Sequence, residues 1–330
     1  MATLRVPLFV PPASEDSEEL MKAFEGLGTD EGAIISILGH RNASQRKKIR
    51  EMYERLYDKP LVEELHSELS GDFRDAVILW THDPAERDAR LANKALNSCS
   101  KGIISHLKVR GKDTITHLQV IVEIACATPP DHLMAVRQAY CSLFDCSLEE
   151  DITSKVSLPV RKVLLGLVSS YRYNGNVVDS NIANSEATKL YEAIQSKHLD
   201  DDEFLWILGT RNFFQLKKTF ECYQKKYRNS IYQDIKSRGN GILELVLGVV
   251  IWCIDSPEKH FAEVIRASVV GLGTDEDSLT RAILARAEID MKKIREEYYK
   301  ENKTSLDDAV RDDTSGDYRS FLMTLLGDKY

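Results

Sequence analysis

Displaced by 245 residues, the chain lies on itself without a gap. Gly26, Gly28 and Thr29 fall on Gly271, Gly273 and Thr274, and Asp30 and Glu31 on Asp275 and Glu276. Arg41 falls on Arg286, Ile49 and Arg50 on Ile294 and Arg295, and Tyr53 on Tyr298. Glu68 meets Asp313, and Gly71 and Asp72 meet Gly316 and Asp317. Two fainter copies lie between. A shift of 75 puts Arg211 on Arg286 and Tyr223 on Tyr298, and a shift of 158 puts Thr116 on Thr274 and Tyr140 on Tyr298. A period of this kind constrains a fold more than any composition does, because one supersecondary unit is built several times and stacked. The chain therefore reads as four units of roughly 70 residues.

Each unit reads as helices. Ile34, Ile35 and Leu38 have helical spacing, as do Ile49, Met52, Tyr53 and Leu56, and Leu61, Leu65 and Leu69. Thr29 and Thr274 stand where N-caps would open the next helices. No stretch alternates as a strand would. The expected fold class is all-α, with helical units packed side by side. The longest irregular connector is expected at residues 169–184, between the second and third copies.

Composition narrows the partners. Forty-four basic against 52 acidic residues give a net charge of −8. That is the wrong sign for a nucleic-acid binder and for direct attraction to an acidic membrane. Contact with phosphate surfaces needs a local basic patch or a bridging cation. Residues 6–13 are apolar but broken by Pro7, Pro11 and Pro12, which does not read as a signal peptide. The run from Ile242 to Ile254 contains Glu244 and is too short to span a bilayer. No lipidation motif is seen. Six cysteines in 330 residues suggest reduced thiols in a cytosolic protein.

The first and fourth copies share a two-part arrangement. A loop, Gly26-Leu27-Gly28-Thr29 or Gly271-Leu272-Gly273-Thr274, is followed 39 residues later by an acid, Glu68 or Asp313. Glycines at positive φ let a backbone fold until several carbonyls face one point. Ca²⁺ takes six to eight oxygens, and carbonyls with a carboxylate suit it. With a single carboxylate, such a site alone should bind weakly, towards the ~10⁻⁴–10⁻³ M end of the range. A phosphate oxygen in the open positions would tighten it, so Ca²⁺ and membrane would bind cooperatively. Taken singly, Gly-x-Gly-Thr is equally a helix-connecting turn; two copies in register with two acids argue for the metal.

With these motifs, and with Ser67-Glu68-Leu69-Ser70-Gly71 and Asp313-Thr314-Ser315-Gly316-Asp317-Tyr318, the chain resembles an annexin from about residue 14 to 328. Its opening Met-Ala-Thr-Leu-Arg-Val-Pro is similar to the plant branch. The resemblance implies four five-helix repeats in a slightly curved disc and Ca²⁺-dependent, reversible binding to acidic phospholipids. The repeats would occupy residues 14–82, 87–168, 185–256 and 258–328, after a tail of residues 1–13. The first site would use the carbonyls of Phe24, Gly26 and Gly28 with the carboxylate of Glu68. The second would use the carbonyls of Val269, Gly271 and Gly273 with Asp313. The middle repeats depart from this pattern. Repeat II has Asp113 and Ile115 for the glycines and Lys155 for the acid; repeat III has Ser196, His198 and Arg238. No site of this type is expected there. Lys155 and Arg238 are candidates for direct contact with lipid phosphate, or plain solvated charges.

Leu27 and Leu272 at the loop tips are candidates for dipping into the interfacial layer; the plant relatives often carry Trp at the first. The resemblance also raises peroxidase chemistry at His40 in Gly39-His40-Arg41, and redox chemistry at Cys126 and Cys253. Ion conduction would involve Arg281 and Asp88, with Thr128 in place of an expected Arg. Against these stand a satisfied helix-end histidine, thiols in apolar surroundings and structural ion pairs. A P-loop is absent: Gly111-Lys112 is followed by Asp113. The chain is thus expected not to be an enzyme. It is expected in the cytoplasm and reversibly at the cytosolic face of membranes, with a place in stress responses. Self-association on membranes and an actin contact stay open, and no residue supports the latter.

Overall fold

A computed structural model describes residues 1–328, apart from Leu27, residues 105–110, Ser170 and Leu272. It holds 20 helices among the described residues and no strand. They fall into four sets of five. The first set is α1 (Ala13–Phe24), α2 (Glu31–Leu38), α3 (Ala43–Tyr57), α4 (Leu61–Glu68) and α5 (Gly71–Thr81). The second is α6 (Pro84–Ile104), α7 (Gly111–Cys126), α8 (Pro130–Phe144), α9 (Leu148–Lys155) and α10 (Val160–Ser169). The third is α11 (Ser180–Ser196), α12 (Asp202–Thr210), α13 (Phe213–Tyr227), α14 (Ile231–Arg238) and α15 (Ile242–Asp255). The fourth is α16 (Pro257–Val269), α17 (Glu276–Arg286), α18 (Met291–Asn302), α19 (Leu306–Asp313) and α20 (Gly316–Leu326).

Local chemistry opens and closes these helices at repeat-equivalent positions. The side chains of Ser147, Ser230 and Ser305 each accept from the third backbone N–H of the next helix, which satisfies one of its orphan donors. Asp58, Asp145, Arg228 and Lys303 end the third helix of each set in the left-handed region, with φ of 53°, 53°, 67° and 61°. These four positions are related by the same shifts of 245, 158 and 75 that align the sequence. The backbone thus repeats where side chains have diverged. Helix α11 already begins at Ser180, inside the expected connector, because Asp179 caps the N–H groups of Asn181 and Ile182.

The chain forms two units. Unit 1 joins Met1–Arg87 to Glu258–Tyr330, and unit 2 is Asp88–Pro257. Unit 1 therefore pairs the first set with the fourth. Its core includes Leu20, Ile34, Tyr53, Trp80, Phe261 and Phe321, all essentially inaccessible. A buried guanidinium ties the two sets together. Arg46 lies 3.6 Å from the Trp80 ring centroid and donates to the Arg41 carbonyl at 2.6 Å and to Glu288 at 3.0 Å. Glu288 also accepts from the backbone N–H of Ala43 at the start of α3. In unit 2, α7 and α15 pack extensively on each other. Among the described residues, no helix is long and apolar enough to cross a membrane.

Candidate metal centre

Unit 1 contains both glycine loops. Each leaves the C-terminal end of its first helix and enters the second. The closing hydrogen bond is the same in both: Asp30 N–H donates to the Ala23 carbonyl at 2.9 Å, and Asp275 N–H to the Ser268 carbonyl at 2.8 Å. Gly26 and Gly28 have φ of 120° and 104°, and Gly271 and Gly273 of 148° and 88°. A side chain would be strained there, so the glycines are a conformational requirement of the loop.

The threonine after each loop is not the N-cap. Asp30 and Asp275 cap α2 and α17, accepting from Ala33 and Ser278 N–H groups; the expected caps at Thr29 and Thr274 are displaced by one residue. This frees the hydroxyls for a longer-range role. Thr274 Oγ1 donates to the Asp313 carboxylate at 2.6 Å and lies 2.8 Å from the Asp313 carbonyl. Thr29 Oγ1 makes the same pair with Glu68 at 3.2 and 3.3 Å. The acid is thus brought from the end of α4 or α19 to the rim of the loop and held there.

The acids of both loops, Glu68 and Asp313, line a cleft of about 320 Å³ together with Glu31, Asp72, Glu276 and Asp317. Among the described residues, no three His, Cys, Asp or Glu side chains converge as a metal cluster. A cation here must rely on backbone carbonyls at a helix C-terminal end, where the helix dipole is negative, together with one carboxylate. The donor set is all oxygen and carries little formal charge. It fits a hard divalent ion such as Ca²⁺ and is a poor match for a thiophilic one. Leu27 and Leu272, the expected membrane-dipping tips, lie outside the described residues, so their placement is not part of this geometry.

The acid positions of unit 2 are filled by tethered cations. Lys155 Nζ bonds Asp151 at 2.7 Å and Asn97 at 2.8 Å, and is half-buried. Tyr140 OH donates to the same carboxylate oxygen of Asp151. Arg238 donates to Gln195. Both cations have partners within the protein. In repeat III, Lys197 takes the left-handed position beyond α11 and His198 follows it. The side chain of Asp113 lies outside the described residues.

The remaining candidates are dispersed. His40 bonds the Ser36 carbonyl through Nδ1 at 3.0 Å. Cys126 and Cys253 are buried, at 2% and 1% exposure, and burial pushes the Cys126 thiol up to about 12. Asp88 bonds His132 at 2.7 Å, Thr128 caps back onto the Ile124 carbonyl, and Arg281 is buried in unit 1.

The annexin family model matches residues 15–80, 108–167, 185–249 and 260–325, and the chain belongs to the annexin family. That family is known for calcium-dependent phospholipid binding. The chain is 53% identical to annexin D3 of Arabidopsis thaliana over all 330 residues, which is 100% of both chains. It is 35% identical to human annexin A13 over 94% of each. Among solved structures it resembles annexin III, with a TM-score of 0.87 and 34% identity over 100% of this chain and 98% of that one. It also resembles a calcium-bound annexin (Sm)1, with a TM-score of 0.84 and 28% identity over 100% and 94%.

Proposed function

We propose that unit 1 binds two Ca²⁺ ions and through them attaches the protein, peripherally and reversibly, to acidic phospholipid membranes. One observation carries this reading. Two loops with glycines at positive φ in matching positions each hold a carboxylate from 39 residues further on, fixed by the loop's own threonine. The carbonyls of Phe24, Gly26 and Gly28 with Glu68 would serve one ion, and those of Val269, Gly271 and Gly273 with Asp313 the other. When bound, the ion supplies positive charge that a phosphate oxygen can complete. The chain's own groups do the rest. The glycines permit the carbonyl convergence, and the threonines hold the acids before any ion arrives. The acidic cleft lowers the potential at both loops, which draws cations in and keeps anions out when Ca²⁺ is absent. A chain of net charge −8 thereby meets an acidic surface only in the presence of the ion.

Co-sedimentation with phosphatidylserine-containing and neutral vesicles, with Ca²⁺ or chelator, tests this. Wild type should bind only with both Ca²⁺ and acidic lipid. Glu68→Ala and Asp313→Ala should each weaken binding and the double variant should abolish it. Unchanged binding by the double variant would move the membrane contact elsewhere on the chain.

A further inference from the structure

Four of the six cysteines have no assigned use in the metal or redox readings above, and two of them stand together at the end of one helix. Helix α8 ends at Phe144, and Asp145 takes φ 53°, ψ 25° and donates its N–H to the Cys141 carbonyl at 3.1 Å. This is the left-handed helix-ending turn. It turns the chain back at the helix end, between Cys141, four residues before the left-handed residue, and Cys146, the residue after it. The same turn closes the third helix of every repeat, but the corresponding pairs are Glu54 and Lys59, Gln224 and Asn229, and Tyr299 and Thr304. Repeat II alone places two thiols there. Cys141 is exposed and Cys146 is half-buried, both free. Burial, with Asp151 next, raises the Cys146 thiol, and Cys141 is among the charges that act on it.

We propose that Cys141 and Cys146 are a peroxide-sensitive modification site that closes to an intrachain disulfide in the folded protein. The exposed Cys141 thiolate attacks a peroxide oxygen. The O–O bond breaks, the sulfur becomes a sulfenic acid, and the leaving oxygen departs as water or an alcohol. The Cys146 sulfur then attacks the sulfenic sulfur. The S–S bond forms, the S–O bond breaks, and hydroxide leaves with the Cys146 proton as water. Two electrons pass from the thiol pair to one peroxide. A half-buried partner with a raised pKa suits the second role, since it reacts slowly with peroxide itself and waits for the sulfenic acid. The site belongs to unit 2 and the glycine loops to unit 1.

The full-length protein, treated with hydrogen peroxide under native conditions and digested without reduction, should yield Cys141 and Cys146 cross-linked, two hydrogens lighter and restored by dithiothreitol. Cys126 and Cys253 should stay alkylatable only after unfolding. Cys146→Ser should trap Cys141 as a sulfenic acid that reacts with dimedone, while Cys141→Ser should leave Cys146 largely reduced at the same dose. The far-ultraviolet circular dichroism of both variants should match wild type. Cys141 oxidising onward to sulfinic acid in wild type with Cys146 still free, or a bridge to any other cysteine, would overturn the proposal.

Discussion

Under the proposed function, the two halves of this annexin solve one structural problem with different cations. In unit 1, the loop between the first two helices is glycine-bearing and the fourth helix ends in an acid, which leaves a place for a mobile divalent ion. In unit 2, the acid position carries Lys155 or Arg238, whose charge is covalently tethered and already bonded to Asp151 and Asn97 or to Gln195. A helix C-terminal end attracts positive charge in either case. What separates the halves is whether that charge arrives from solution, and can be regulated, or is built in and permanent.

Four tests break or sharpen this contrast. Thr274→Val removes the hydroxyl that holds Asp313, a partner of the kind whose loss commonly costs about tenfold or more in metal affinity. A Ca²⁺ titration of vesicle binding should show a smaller loss for Thr29→Val, because its bonds are longer at 3.2–3.3 Å against 2.6–2.8 Å. The second concerns acid. His260 in unit 1 is held neutral by burial and then by Arg286, down to about 3. Its folded pKa lies below the unfolded value of 6.5, so its contribution to stability is full above about pH 6.5 and is lost as pH falls towards 3. His260→Asn should flatten the dependence of unfolding free energy on pH between 6 and 4, by up to about 1.4 kcal/mol per pH unit.

The third is Lys155→Met, which leaves the Asp151 carboxylate with Tyr140 alone. It should lower the stability of the protein by about 1 kcal/mol in urea unfolding, with no change in the Ca²⁺ needed for membrane binding. The fourth is expected to have no effect on Ca²⁺ binding. Arg238→Asp restores an acid in repeat III, but Lys197 and His198 still stand where unit 1 has its glycine loop. Equilibrium dialysis should detect no added ion.

Much of this was legible in the sequence, for identifiable reasons. The repeat, the helical class and the glycine–acid pairing follow from spacing, and helical spacing survives when residues change. The position of the caps was misplaced by one residue. Thr29 and Thr274 are reasonable caps locally, but Asp30 and Asp275 take that role, and the threonines are claimed by acids 39 residues away. No local pattern reports such a contact. The i,i+4 pairing of Asp151 with Lys155 is readable on a single helix face. The joining of the first repeat to the fourth in one unit rests on buried contacts such as Arg46 with Glu288, separated by 242 residues, and periodicity is silent on it. The pairing of Cys141 with Cys146 likewise needs the left-handed turn at Asp145, which a non-glycine residue does not advertise.

The most direct test of the division between halves is a count of Ca²⁺ ions bound per chain on acidic vesicles, for wild type, Glu68→Ala, Asp313→Ala and the double variant. One ion should disappear with each single substitution, and none should remain at the same free Ca²⁺ in the double variant. Retention of bound Ca²⁺ by the double variant would contradict the assignment of both sites to unit 1.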